Sequence, residues 1–286
     1  MKIVRTFATS ANLGPGFDCL GICFNLYNEY EFFPSNEYKI EGFNKKFSNP
    51  NDNLIIKSYE RVFLLKNKKI QFLTIKQKIQ NIPLSRGLGS SASCIVAGII
   101  MANEILEGIL SKNEIFQIAS MIEGHPDNVA PLIFGGFTCS FKEDIYRYIK
   151  LEVASNLQFF LLIPNFELST TVARASLPNC VLLDDVVSNL SHVILMVKAL
   201  EKGDFALLKI AKKDRIHEPY RYSLIDSKKE IREVLKGYEE IVALISGAGP
   251  SILLISEQDI KDKLNINNWQ LASVEISNVG AYVYEK

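Results

Sequence analysis

Weak alternation of apolar and polar positions over residues 2–8, an aromatic and apolar run from Ile22 to Phe33, a short piece at Tyr38 to Glu41 and a run from Lys69 to Ile79 predict strands. Between them, Leu54, Ile55, Tyr59, Val62 and Phe63 recur at helical spacing within 53–66. Ile95, Val96, Ile99, Ile100, Ile105 and Leu106 form one broad apolar surface, which predicts a buried helix from about Ser90 to a stop at Gly108. Ser111 to Glu114 reads as a capping box for a second helix that runs to about Glu123 and ends at Gly124. Gly135 and Gly136 lead into a strand from Phe137 to Phe141, and the polar stretch near Lys142 to Asn156 reads as a domain boundary.

The second half reads as a strand (Leu157 to Ile163), helices at Val186 to Glu201, Asp204 to Lys212 and Ser227 to Gly237, and strands at Ile241 to Ile245 and Ile252 to Ile255. A helix from Asp259 to Leu264 and strands between Ala272 and Tyr284 complete it, with a further capping box at Ser227 and Glu230. The order suggests antiparallel strands with helices on one face, an α+β layer. The expected division is 1–150 and 151–286, since 286 residues suffice for about two cores.

Charge changes the picture by exclusion. Lysine plus arginine equals aspartate plus glutamate at 32 each, so no overall basic field points to nucleic acid or an anionic membrane. A small molecule is the favoured partner. Cys19, Cys23, Cys94, Cys139 and Cys180 are scattered and lack CxxC spacing, which argues against a disulfide framework or a zinc site. The first residues lack the apolar core of a signal peptide, and the longest apolar runs are far short of the ~20 residues that span a bilayer. Cytoplasmic residence is expected.

The stretch Ile82 to Ser93, IPLSRGLGSSAS, carries the strongest candidate chemistry. Gly87 and Gly89 let backbone approach a ligand closely, and the helix behind them presents unpaired N–H groups at its positive end. Such a place binds phosphate. Ser90 and Ser91 offer hydroxyls to phosphate or magnesium, and Arg86 offers a nearby positive charge. An ordinary capped core helix gives the same pattern. GLGSSA also fits a dinucleotide fingerprint, but Glu104 and Glu107 fall within or at the end of the same helix rather than after a following strand, and no GxxxxGK(S/T) occurs.

Three other polar segments compete between turn and site. TSANLGPGFDCLG is dense in turn formers, yet Asn12 and Asp18 could face a ligand from its bend. EGHPDNVAP gathers Glu123, His125, Asp127 and Asn128 around two prolines, where a lone histidine would more often be structural. SGAGPS (246–251) is either a hairpin turn or a second backbone cradle near the first. Arg174, Arg215 and Arg221 lie in polar segments where a pocket-facing arginine would fork onto a carboxylate.

Taken in order, TSANLGPGFD, PLSRGLGSSAS, EGHPDNVAP, RIHEPYR and SGAGPS resemble the GHMP small-molecule kinases and, within them, the homoserine kinase family. The resemblance implies the GHMP kinase fold, with an N-terminal domain like ribosomal protein S5 domain 2 and a ferredoxin-like C-terminal domain. It implies ATP bound between them with the adenine near Asn53, and phosphorylation of the L-homoserine hydroxyl on the route to threonine. The phosphate loop would comprise Pro83, Leu84, Ser85, Arg86, Gly87, Leu88, Gly89, Ser90, Ser91, Ala92 and Ser93. Asn12, Asp18, His125, Asn128, Arg174 and Arg221 would surround the amino acid, with the arginines at its carboxylate and Asn128 at its hydroxyl. Arg174 and Asn128 would be the catalytic pair, and Ser91 and Glu123 would hold Mg2+. A homodimer is the assembly to test. A kinase of the same fold acting on another alcohol, or a nucleotide-binding regulator, remains the alternative.

Overall fold

A computed structural model describes residues 1–225, 230–264 and 266–285. Its strands are β1 (Lys2–Ala11), β2 (Leu20–Pro34), β3 (Lys39–Glu41), β4 (Leu73–Gln80), β5 (Phe137–Lys142), β6 (Tyr146–Leu151), β7 (Gln158–Pro164), β8 (Val242–Ile245), β9 (Ile252–Ser256), β10 (Trp269–Val274) and β11 (Tyr282–Glu285). Its helices are α1 (Leu54–Leu65), α2 (Ser90–Ile105), α3 (Lys112–Glu123), α4 (Val129–Phe134), α5 (Thr170–Ala175), α6 (Leu183–Lys202), α7 (Phe205–Ala211), α8 (Glu218–Ile225) and α9 (Glu230–Lys236).

Seven strands form one sheet, in which the order β11-β1-β2-β4-β3 is extended by β5 on β2 and β6 on β5. The long β2 makes this possible: Leu20 to Ile22 pair with β5, while Asn28 to Pro34 pair with β4. Against this sheet lie α1, α2, α3 and α4, whose Ile56, Tyr59, Val96, Ile99, Phe116 and Leu132 share a core with Val4, Tyr30 and Ile75. α2 is apolar on most of its circumference because helices and sheet surround it. Ser111 and Glu114 form the expected capping box at the start of α3, and Gly124 ends that helix at φ 92°.

The second sheet is four antiparallel strands in the order β10-β7-β9-β8. Successive side chains of β7 point to opposite faces. Phe159 and Leu161 join Met196, Leu200 and Leu208 of α6 and α7, whereas Phe160 and Leu162 join Ile231 and Leu235 of α9. Helices therefore cover both faces of this sheet, and the expectation of a single helical face is corrected.

Other local readings are corrected as well. Residues 142–156, read as a polar boundary stretch, also contain β6, which pairs with β5 and so belongs to the first sheet. Asp259 to Leu264 forms turns instead of a helix, with Ile260 and Leu264 buried as plugs under the second sheet. The span from Ala272 to Tyr284 holds parts of two strands in different sheets: β10 pairs with β7, and β11 crosses back to pair with β1. A division near residue 150, which stays a proposal, would leave β11 with the first half. Ser227, and with it the expected capping box to Glu230, falls outside the described residues. The short helices α5 and α8 had no periodic signal long enough to read.

Candidate active site

The backbone turns into α2 through Gly89, which caps the helix in the left-handed conformation at φ 68° with no side-chain cap on the helix-start amides. A Cβ at Gly89 would collide with Thr9 Oγ1 and crowd Asn128 Oδ1, so a glycine there lets three chain segments meet. Gly87 fits equally closely against the carbonyls of Ser246 and Gly249. Ser246 Oγ donates to Gly87 O at 2.7 Å, and Ser251 N donates to Arg86 O at 3.2 Å. The 246–251 segment is thus both the β8–β9 connection and the backing of the phosphate loop.

Two cavities meet at this helix start. One, of about 740 Å3, is lined by Tyr30, Phe43, Phe47, Asn53, Leu54, Leu84 and Cys94 and is mostly apolar. The other, of about 620 Å3, is polar and lined by Asn12, Asp18, Glu123, His125, Asp127, Asn128, Thr170, Arg174, Arg221 and Gly247 among others. Ser85, Ser90 and Ser91 line both.

Within the phosphate loop, Arg86, Gly87 and Gly89 also line the polar cavity and Leu84 the apolar one. Pro83, Leu88, Ala92 and Ser93 line neither. Ser93 is buried and hydrogen-bonds Thr6 at 2.7 Å, inside the core. Arg86 does not offer its charge freely: its guanidinium donates to the carbonyls of Leu84, Pro164 and Asn165 and joins the loop to the end of β7. Asn53 caps α1, accepting from Ile55 N and Ile56 N while donating to Phe47 O, so its side chain shapes the apolar pocket from the wall.

Ser91 Oγ donates to Glu123 Oε2 at 2.8 Å, which brings the first turn of α2 to the end of α3. Burial raises the Glu123 pKa, against the opposing pull of His125 and Ser91. His125 Nδ1 donates to Asp127 Oδ1 at 2.7 Å, and although burial works against its charge, Asp127 and Glu123 hold the His125 pKa above the usual range. Asp127 Oδ1 also accepts from Asn128 N at 2.9 Å. Its carboxylate therefore holds the loop together. Asn128 Oδ1 accepts from Thr9 Oγ1 at 2.8 Å, and its Nδ2 reaches Asp127 Oδ1 at 3.5 Å.

On the far wall, Arg174 forks onto Asp18, with Nη1 and Nη2 donating at 2.9 and 2.7 Å. Arg221 is 1% exposed; its Nη1 donates to Gly247 O at 2.9 Å and to His217 Nδ1 at 3.2 Å, while its Nε has no partner in the described structure. Burial, then the nearby Arg174, lower the Arg221 pKa. His217 donates from Nε2 to Gly14 O at 2.8 Å, and burial pulls its pKa down to about 4, which keeps Nδ1 a neutral acceptor for Arg221. Phe17 stacks on His217 with ring centroids 5.3 Å apart, and both guanidinium groups lie over its face at 5.6 Å (Arg174) and 5.3 Å (Arg221). Asn12, at φ 71°, donates to Gly247 O and accepts from Asp18 N, tying the first loop to the second glycine segment.

Sequence reasoning missed Thr9, Phe17 and Thr170. Thr9 looked like one more strand residue, whereas Phe17 stood as an aromatic in a Gly-Pro-Gly loop, a signal that could have been used. Arg215 points away from the cleft to Asp185.

Among the described residues, no group of three or more His, Cys, Asp or Glu could form an all-protein metal cage. Ser91 and Glu123 instead present two hard oxygen donors beside the helix start, which suits a magnesium ion that takes its other ligands from phosphates and water.

The model of the GHMP kinases N-terminal domain matches residues 53–136, and that of the GHMP kinases C-terminal region matches 196–268. The chain is 42% identical to a homoserine kinase of Clostridium beijerinckii, covering 100% of this chain and 99% of that one. It is 41% identical to a homoserine kinase of Clostridium botulinum, covering 99% and 98%. The crystal structure of homoserine kinase from Cytophaga hutchinsonii superposes with a TM-score of 0.83 at 28% identity, covering 99% and 97%. The chain belongs to the homoserine kinase family of the GHMP kinases.

Proposed function

We infer that the chain transfers the terminal phosphoryl group of ATP to the side-chain hydroxyl of L-homoserine, yielding O-phospho-L-homoserine and ADP in threonine biosynthesis. One observation carries the reading beyond family membership: the apolar and the polar cavity share the start of α2. A base seated among Phe43, Phe47 and Leu54 would lead its phosphates past Ser90 and Ser91 toward an acceptor held by the polar wall. In-line transfer needs that arrangement.

The roles of the side chains follow from chemistry. The free amides at the start of α2 would neutralise phosphate oxygens. Ser91 and Glu123 would hold Mg2+, which when bound offsets charge on the bridging phosphate oxygens. Arg174 and Arg221 would take the amino acid's carboxylate, with Asp18 released to meet its ammonium group and Asn12 and His125 completing the pocket. Asn128 would orient the attacking hydroxyl through its amide nitrogen. A loose transition state leaves the attacking oxygen largely protonated, so no dedicated base is required.

Arginine forks favour a carboxylate-bearing acceptor over a sugar. An assay of ADP release with homoserine, threonine, mevalonate and galactose tests the assignment: homoserine alone should support turnover above buffer, and the absence of that signal would reject it. Among the described residues, no helix is long and apolar enough to cross a membrane. The five free thiols support a cytoplasmic setting, and a homodimer is the proposed assembly.

A further inference from the structure

α6 carries an apolar stripe that the fold leaves open. Leu183, Val187, Leu190 and Ile194 are 58 to 76% exposed, and Leu182 just before the helix is 73% exposed. Their spacing of four, three and four residues gathers them within an arc of ~60° and along ~17 Å of helix. Asn189, Met196 and Leu200, on the other side, face the core. Scattered apolar residues on a surface need no partner, but a continuous row at coiled-coil spacing is an interaction surface.

Charge identifies the occupant. Asp184 lies at the amino end of the helix and Lys198 and Lys202 at its carboxyl end, all on the same flank of the stripe by helical geometry. When two identical helices pair antiparallel about a two-fold axis, like flanks face each other. With the axis near Leu190 and Ser191, Asp184 of each copy comes opposite Lys198 of the other. Lys198 is bonded within its own helix only to Glu201, at 3.2 Å and 53% exposed, an ion pair that can be exchanged at little cost. A parallel pair would set the acidic ends and like helix dipoles side by side.

We propose that the Leu183–Ile194 face of α6 is the self-association surface of this protein, formed by antiparallel pairing with α6 of a second copy. The surface is tied to the substrate wall. On the buried side of α6, Asn189 donates to Asp214 Oδ1 at 2.6 Å and accepts from Arg215 N at 2.9 Å. Asp214 in turn accepts from His217 N and Glu218 N at the start of α8, which carries Arg221. Pairing would brace α6, and through it the helix that holds the buried arginine.

This rests on the homodimer reading, and sedimentation equilibrium of the full chain at micromolar concentrations separates the two. Wild-type protein should sediment as a dimer; a monomer would overturn both the assembly and the surface, leaving the stripe to a different partner. Leu190→Asp should weaken dimerisation at least ~100-fold, and Asp184→Lys should weaken it less and be rescued by adding Lys198→Asp. A dimer that survives Leu190→Asp overturns the surface but not the assembly. If Leu190→Asp does not fold, cysteine cross-linking decides in a Cys180→Ser background. Leu190→Cys should form a covalent dimer on mild oxidation much faster than Leu183→Cys, and equal rates at the two positions would overturn the antiparallel arrangement.

Discussion

Thr9 donates its hydroxyl to Asn128 Oδ1 at 2.8 Å while Asn128 Nδ2 lies 3.5 Å from Asp127 Oδ1, and the two contacts together set the orientation of the Asn128 carboxamide. If the amide nitrogen orients the acceptor hydroxyl, Asn128→Ala should lower kcat by ~10²–10³. Asn128→Asp should not rescue it, because a carboxylate has no donor to replace the nitrogen. Thr9→Val, which frees the carboxamide to flip, should cost ~10-fold in kcat with little change in the KM for homoserine. Stopped assays at saturating ATP would show these splits; a Thr9→Val enzyme with wild-type kcat would remove the orienting role.

Asp127 supplies the contrast. Its Oδ1 accepts from His125 and from Asn128 N, which gives it a structural task in the loop. Asp127→Asn should therefore keep kcat within ~10-fold of wild type, and kcat should lack an acidic limb due to this residue. A loss of ~10²–10⁴ in folded protein that still binds both substrates, together with such a limb in the wild type, would make Asp127 a general base.

Substitutions in the arginine wall should affect the two substrates differently. Arg174→Ala should raise the homoserine KM ~10-fold or more, the scale of one lost charge-assisted bond, and leave the ATP KM nearly unchanged. Its fork onto Asp18 is half-exposed and adds little to stability. Arg221→Lys should raise the same KM and also lower Tm, since a lysine has no planar guanidinium to lie over Phe17 while bonding Gly247 in a buried place. Equal rises in both KM values would move either arginine to the nucleotide.

Ser91 and Glu123 share one expectation. Ser91→Ala or Glu123→Gln should shift the magnesium dependence of turnover to higher concentration, while Ser93→Ala, whose hydroxyl bonds Thr6 in the core, should not. Magnesium titrations of ADP release that coincide for wild type and Ser91→Ala would take Ser91 out of the metal site.

Glu218 gives a stability signature in pH. Burial pushes its pKa up to about 8, against the opposing bond from Ile245 N. An acid raised from 4.5 binds its proton more tightly folded than unfolded, so its contribution to stability falls as pH rises from 4.5 to 8. At ~1.4 kcal/mol per pH unit, the fall is at most roughly 5 kcal/mol. Glu218→Gln keeps an oxygen for Ile245 N and removes the charge. Its Tm should exceed that of wild type increasingly from pH 5 to pH 9, and parallel Tm curves for the two proteins would contradict the assignment.

Much of the site was legible because its chemistry is local in sequence. Gly87, Gly89, Ser90 and Ser91 lie within five positions, and His125, Asp127 and Asn128 within four, so turn chemistry and helix starts could be read from spacing alone. What escaped depends on contacts between distant segments. Thr9 matters because Gly89 and Asn128 come to it from two other parts of the chain. Arg86 looked like a free cation, but the end of β7 supplies carbonyls that no local pattern announces. Asp259 to Leu264 has helical composition, yet Ile260 and Leu264 are claimed by the underside of the second sheet. Tertiary burial there overrides a weak local preference.

The pairing of β11 with β1, Lys2 against Glu285 and Arg5 against Tyr282, joins residues far apart in sequence and therefore in the time of their synthesis. At ordinary ribosomal speeds roughly 15–60 seconds separate their synthesis. During that interval β1 can already pair with β2 and carry Thr6 and Thr9 into place, but its other edge lacks its partner. An open edge is where a nascent chain is most exposed to joining the wrong strand. The interval in which this edge most needs protection thus closes only when β11 has been made and is free to pair.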